Sequence, residues 1–289
     1  MVIDCHYHLE ERVLSLNTLI KEMDRTGVDK TALMGSITGP VPELPTFLVS
    51  FLQFFLERPA LRGIGRMLVS NFTDTGEIKV LGKKCLIETD PDNEPVFDAV
   101  KQHPERFLGW IFVNPRGKKD QVAEFEKFSG SPGFIGVKAH PFWHHFKPVE
   151  LAPVAERLER MSKPLLIHAG FGEEGNIEDL LARVPRLKLI IAHAGFPGYA
   201  DTWKRIRDRK NVYLDLSQTI YTSEKSTLAA ADYLGTDRLL FGTDGPYGSQ
   251  KPYGTYDHGF IKSRIEKLFP DTTVSRRLLG ENLAEMSRS

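Results

Sequence analysis

The sequence predicts an α/β protein, a closed (β/α)8 barrel with an insertion after strand 2, on three observations. Eight short apolar runs recur between residues 2 and 244. Stretches with apolar residues at helical spacing separate them, which is the signature of βα units around a parallel sheet. Most of the runs are continuous rather than alternating, as expected when helices cover the sheet. A doubly wound open sheet is the rival arrangement. The chain of 289 residues suits one barrel of roughly 250 residues with extra chain in one place, so a single domain over 1–289 is expected.

The first strand is Val2-Ile3-Asp4-Cys5-His6-Tyr7-His8. Leu16, Leu19, Ile20 and Met23 then line one face of a helix, which Gly27 stops. Thr31-Ala32-Leu33-Met34 is the second strand. The stretch 35–95 breaks the rhythm, because it is too long for a βα loop and carries many prolines and glycines. We read it as an insertion with a helical piece over 46–56. It serves either as a lid over the catalytic face or as packing on the barrel's flank. The third strand, 107–113, closes at Asn114-Pro115, and the fourth, 134–139, is entered through Ser131-Pro132-Gly133. The fifth, 164–168, and the sixth, 189–193, both end in His-Ala-Gly. The seventh is 212–215 and the eighth 239–244. Helical patterns fill 149–161, 177–184, 199–209 and 223–234, and 274–286 reads as a closing helix.

Composition excludes several functions. Lys+Arg and Asp+Glu both number 38, so no net field draws the chain to nucleic acid or an anionic membrane. Two cysteines, Cys5 and Cys85, cannot build a disulfide framework. The longest apolar stretch, 47–56, is interrupted by Ser50 and Gln53 and falls well short of the ~18 residues of a membrane span. No leader or targeting tail is recognisable, so a cytoplasmic protein is expected. No Gly-rich phosphate loop points to a nucleotide cofactor.

Histidine is the informative residue. His6 and His8 are two apart on a strand, so their side chains share a face. By themselves they could be hydrogen-bonded histidines at a strand end. Two converging imidazoles also suit a divalent ion such as Zn²⁺. His168 and His193 end the fifth and sixth strands, and Asp244 ends the eighth. Catalytic groups in a barrel come from such strand ends. A buried aspartate among neutral imidazoles needs a cation. Cys5, between the two histidines, is expected to pack on the opposite face. Asp4 shares their parity and is a candidate to orient a ligand imidazole.

These pieces resemble the amidohydrolase superfamily, in its amidohydrolase-2 branch of metal-dependent TIM barrels. The resemblance rests on Asp4-Cys5-His6-Tyr7-His8, Gly136-Val137-Lys138-Ala139-His140-Pro141, Leu166-Ile167-His168-Ala169-Gly170, Ile191-Ala192-His193-Ala194-Gly195, Phe241-Gly242-Thr243-Asp244 and Gly280-Glu281-Asn282-Leu283-Ala284. It spans residues 4–284, with no family motif in 35–95. It implies His6, His8, His168 and Asp244 as metal ligands, and Asp244 as the group that takes a proton from a metal-activated water. It implies His193 as an acid/base residue or as a ligand to a second ion.

Lys138 and His140 share a face of the fourth strand. Lys138 resembles the carboxylated lysine that bridges two metals in some members. As a free ammonium it has no lone pair for a metal. It would then hold a substrate carboxylate, pair with Asp244, or form an outward salt bridge. His140 would contact substrate or orient Lys138. Trp143 and Tyr247 are candidate pocket walls, or simply caps on the barrel, and Arg66 is a candidate anion clamp.

The resulting expectation is a metal-dependent hydrolase, carrying one zinc or two, that opens an ester, lactone or amide bond of a small, carboxylated substrate. A non-oxidative decarboxylase or hydratase on the same site is the alternative, and a non-catalytic metal-binding barrel is the alternative from another class. The expected partner is a small molecule, with homo-oligomerisation compatible with the helix surfaces.

Overall fold

The computed structural model describes residues 1–39, 46–69, 77–80, 83–247 and 256–288. Eight parallel strands lie in chain order: β1 Ile3–Leu9, β2 Lys30–Gly35, β3 Phe107–Phe112, β4 Phe134–Ala139, β5 Leu165–Ile167, β6 Leu189–Ile191, β7 Val212–Asp215 and β8 Leu239–Leu240. The seam between β8 and β1 is joined by backbone bonds. Cys5 N donates to Phe241 O at 3.0 Å, Asp244 N to His6 O at 2.7 Å and His8 N to Gly245 O at 2.7 Å. The expected barrel is therefore the observed architecture.

Two apolar layers hold it. Outward residues such as Leu33, Ile111, Val137, Ile167, Ile191 and Leu214 pack under the helices, against Leu19, Met23, Leu158 and Leu181. Inward residues, including Ile3, Met34, Trp110, Phe112, Leu166, Ile190 and Leu240, fill the barrel as a packed core. Trp110 fits because residue 136 is glycine: a Cβ there would lie 2.7 Å from the indole and 2.3 Å from Pro164 O. Leu283 and Met286 of the last helix, Asn282–Arg288, join this inner cluster.

The first strand departs from simple alternation. Asp4 pairs with Thr31 but Tyr7 with Leu33, so Cys5 and His6 together oppose one residue of β2. This is a β-bulge. It corrects the parity argument in two places. Cys5 is buried as expected, but within the inner cluster rather than on the opposite face. Asp4 no longer shares a face with His6 and His8.

The apolar helix of the insertion forms over Thr46–Leu56, with Leu52 and Leu56 buried in the main core. A short helical turn Pro59–Leu61, a helix Arg62–Val69 and an antiparallel hairpin of Glu77–Val80 with Lys83–Leu86 follow. The chain returns at Asn93, whose amide both donates to Phe112 O at 3.0 Å and accepts from Phe112 N at 2.7 Å. A regular barrel helix, Glu94–Gln102, begins there.

The eighth strand pairs regularly only over Leu239–Leu240; beyond it Phe241 O and Asp244 N bond to Cys5 and His6 of β1, while Phe241 N donates to Leu278 O at 2.9 Å. The closing helix is broken into Thr272–Arg276 and Asn282–Arg288 by a wide turn. In that turn Gly280 approaches the first strand so closely that a Cβ would lie 2.3 Å from Met1 O. No helix among the described residues is long and apolar enough to cross a membrane.

Candidate metal centre

The bulged end of β1 presents His6 and His8 inward at the mouth, and both are buried. Asp244 meets them from across the seam, in a left-handed conformation with φ 58°. Its Oδ1 lies 3.2 Å from His6 Nε2 and 3.3 Å from His8 Nε2. The ligand atoms of the three residues lie within 4.8 Å of one another.

Their hydrogen bonds fix the ring tautomers. His6 Nδ1 donates to Asp215 Oδ2 at 2.9 Å, and His8 Nδ1 donates to the Gly35 carbonyl at 3.2 Å. With Nδ1 of each ring engaged in this way, Nε2 of both turns toward Asp244. Burial lowers the His6 pKa to about 4, with Lys138 adding to the effect. Burial alone would raise the Asp244 carboxyl, but the surrounding imidazoles of His6, His8 and His193 outweigh it and hold it well below the usual range. Nε2 of two imidazoles thus converges on one carboxylate oxygen. A divalent cation fits that donor set.

Asp215 was not singled out from sequence as a functional residue, yet it organises the centre. It is fully buried at the end of β7. Its Oδ2 takes the His6 N–H, while Oδ1 takes the backbone N–H groups of His193 and Ser217, each at 3.0 Å, and the Ser217 hydroxyl. It also groups with His6 and His193, but its oxygens already hold the His6 Nδ1–H and the His193 backbone N–H, so we read it as orienting these residues. The available signal was its place: it ends an apolar run just as His168, His193 and Asp244 do. Asp215→Asn should weaken divalent-metal affinity about 10–100-fold while the chain stays folded. A chelator-competition titration giving unchanged affinity would refute this role.

His193 follows β6 with φ 56°. Its Nδ1 lies 2.9 Å from Ser217 Oγ, whose own hydrogen goes to Asp215, so Nδ1 is the donor and Nε2 is bare. Its ring stacks on His6 at 5.3 Å between centroids. His168 stands farther round the mouth, with its ring 4.4 Å from that of His193 and 4.2 Å from that of His140. It lies outside the tight group of His6, His8 and Asp244, but its buried Nε2 has no hydrogen-bond partner.

Lys138 is wholly buried, with Nζ 3.3 Å from His6 Nε2. Burial lowers its pKa to about 8, against the pull of Asp244 and Asp215. His140 Nδ1 accepts from Trp143 N at 3.0 Å, which leaves an N–H on Nε2, and the two rings stack at 4.9 Å. The Tyr247 ring lies 6.0 Å from His8, and its hydroxyl donates to Thr38 O at 2.6 Å. The side chain of Arg66 lies outside the described residues. Asp4 does not orient an imidazole of the centre. Its Oδ1 takes the backbone N–H groups of His6 and Thr243, each at 3.0 Å, and Oδ2 takes the Thr243 hydroxyl at 2.6 Å. Gln218 also escaped notice in the sequence, where nothing local marks it. Its Nε2 donates to Asp244 Oδ2 at 2.9 Å.

The family profile Amidohydro_2, described as amidohydrolase, matches residues 73–286. A comparison with curated proteins finds no match. Solved structures share the fold at low identity. An uncharacterized TIM-barrel protein from Bordetella bronchiseptica has a TM-score of 0.63 at 16% identity, covering 100% of this chain and 99% of that one. The 5-carboxyvanillate decarboxylase of Sphingomonas paucimobilis has a TM-score of 0.62 at 15% identity, covering 99% and 98%. A putative 2-pyrone-4,6-dicarboxylic acid hydrolase from Pseudomonas putida has a TM-score of 0.63 at 16% identity, covering 99% and 97%.

Proposed function

The chain belongs to the amidohydrolase family and is an enzyme, and on that premise we propose that it is a metal-dependent hydrolase of an ester, lactone or amide bond in a small carboxylated substrate. The observation that carries this reading is the convergence of Nε2 of His6 and Nε2 of His8 on Asp244 Oδ1, at 3.2 and 3.3 Å. His6, His8, His168 and Asp244 would hold the ion, with His193 and a carboxylated Lys138 as further ligands if two are bound. Zinc best matches this imidazole-rich set. A divalent ion there supplies Lewis acidity and brings the pKa of a water from 15.7 to roughly 7.

The chain's own groups do the rest. Asp244 accepts a proton from the attacking water at Oδ1 and returns it to the leaving group. His193 offers a bare Nε2, which suits coordination or proton acceptance. Lys138 Nζ and the Nε2–H of His140 are two donors for a substrate carboxylate. Trp143 and Tyr247 wall the pocket, Arg66 adds an anion clamp, and the insertion 35–95 serves as the lid.

The same two donors favour a second reading, decarboxylation, because they would hold a carboxylate beside the ion. A panel of lactones, esters, amides and carboxylic acids in ¹⁸O-water separates the two. Hydrolysis places solvent oxygen in the product without evolving carbon dioxide, and decarboxylation does the reverse. Turnover that survives chelation and His168→Ala would refute the metal centre itself.

A further inference from the structure

We propose that Gln218 is a positioning residue for Asp244, and that the inserted helix Thr46–Leu56 holds the loop that carries Gln218, so that the insertion completes the metal centre. This rests on the reading of Asp244 as ligand and base.

Gln218 is buried, and its backbone is left-handed, with φ 63°. Both ends of its amide are committed. Nε2 donates to Asp244 Oδ2 at 2.9 Å, and Oε1 accepts from Ile220 N at 3.2 Å. A backbone N–H can only donate, so the amide cannot flip, and it always turns its N–H groups toward the carboxylate. The two oxygens of Asp244 are thereby divided. Oδ2 is tied to Gln218, and Oδ1 faces the imidazoles of His6 and His8. Without that tie the carboxylate is free to rotate.

The loop around Gln218 is held from two sides. On the inner side, Thr222 N donates to Gln218 O at 2.8 Å, the Thr222 hydroxyl to Ser217 O at 2.7 Å, and the buried Arg264 to Thr222 O at 2.9 Å. On the outer side stands the insertion. Gln53 Nε2 donates to Thr219 O at 2.7 Å, and Glu57 accepts the hydroxyl of Ser223. Gln53 lies on the helix and Glu57 directly follows its end, with its N–H bonded to Gln53 O at 3.0 Å, so the two side chains, four residues apart, grip the loop on both flanks of Tyr221. The neighbouring Leu52 and Leu56 anchor the helix in the core. Asp244 is thus connected to the insertion through one side chain and one short loop, without passing through the barrel wall.

Co²⁺ titration of the metal-stripped full chain tests this, read by affinity and by the visible absorption band that reports ligand geometry. Wild type, Asp244→Asn, Gln218→Leu and Gln53→Ala are compared, alongside thermal melting of each without metal. Gln218→Leu should weaken Co²⁺ binding 10–100-fold and shift the band. Gln53→Ala, a half-buried position away from the centre, should move both in the same direction by a smaller factor with unchanged melting. It decides the matter if Gln218→Leu fails to fold. Binding lost in Asp244→Asn but intact in Gln218→Leu and Gln53→Ala overturns this inference alone. A wild type that takes up no Co²⁺, or an Asp244→Asn variant that binds like wild type, overturns the metal-centre reading and this inference with it.

Discussion

Asp244→Asn should abolish metal uptake and lower turnover by roughly 10²–10⁴-fold or more, while the barrel keeps its fold. The orientation of the new amide follows from its neighbours. Gln218 donates to the outer oxygen position, so the oxygen of the asparagine must sit there. Its NH₂ group then faces His6 Nε2 and His8 Nε2, where Oδ1 now lies at 3.2 and 3.3 Å. Its two N–H groups would then point at the imidazole nitrogens in place of the carboxylate oxygen, which removes the anionic ligand an ion needs. The variant should therefore melt no lower than the metal-free wild type, yet gain nothing from added zinc. Metal analysis, turnover and melting with and without zinc check the three parts. Full occupancy together with wild-type turnover would remove Asp244 from the centre.

The metal-free chain should also lose most of its stability between pH 6.5 and 5. Burial lowers the pKa of His258 to about 3 and those of His6 and His144 to about 4. His140, His168 and His193 are lowered too, again chiefly by burial. Below pH 6.5 the unfolded chain binds protons at these rings and the folded chain does not. Unfolding is then coupled to proton uptake, so stability is full above 6.5 and falls with pH. Three rings at pH 5 amount to about 2 kcal/mol each, on the order of the whole stability of a domain. Asp4 works the other way: burial raises its pKa to about 7, so it resists the loss and offsets about one ring. Asp215 and Asp244 are held low and add nothing to this window. Denaturant midpoints in chelator at pH 7 and 5 measure the slope. His258→Gln, which cannot take the proton, should flatten it, and an equal slope in that variant would show that His258 does not contribute.

The fold was largely legible because continuous apolar runs and helical spacing are local properties. The strand ends carrying His168, His193 and Asp244 could be located from chain breaks alone. The inserted helix was legible for the same reason, since its apolar run is contiguous. What stayed hidden depended on partners far away in sequence. The bulge at Cys5 and His6 is set by pairing with β2, so strict alternation misplaced Cys5 and Asp4. Asp215 looked like an ordinary strand end until His6, 209 positions away, was seen to donate to it. Gln218 reaches Asp244 by virtue of a left-handed loop residue that no local pattern announces.

The seam between β1 and β8 has a kinetic meaning as well. It joins the two ends of the chain, and His6, His8 and Asp244 lie on its opposite sides. The donor set therefore does not exist until residue 244 has docked on residue 6, which is among the longest loop closures this chain can make. An ion held there acts as a clasp that only a finished barrel can fasten, and unfolding that begins by parting the seam must first release it. Metal should accordingly lengthen the lifetime of the folded chain by slowing its opening, and leave the early collapse of β2 to β7 untouched.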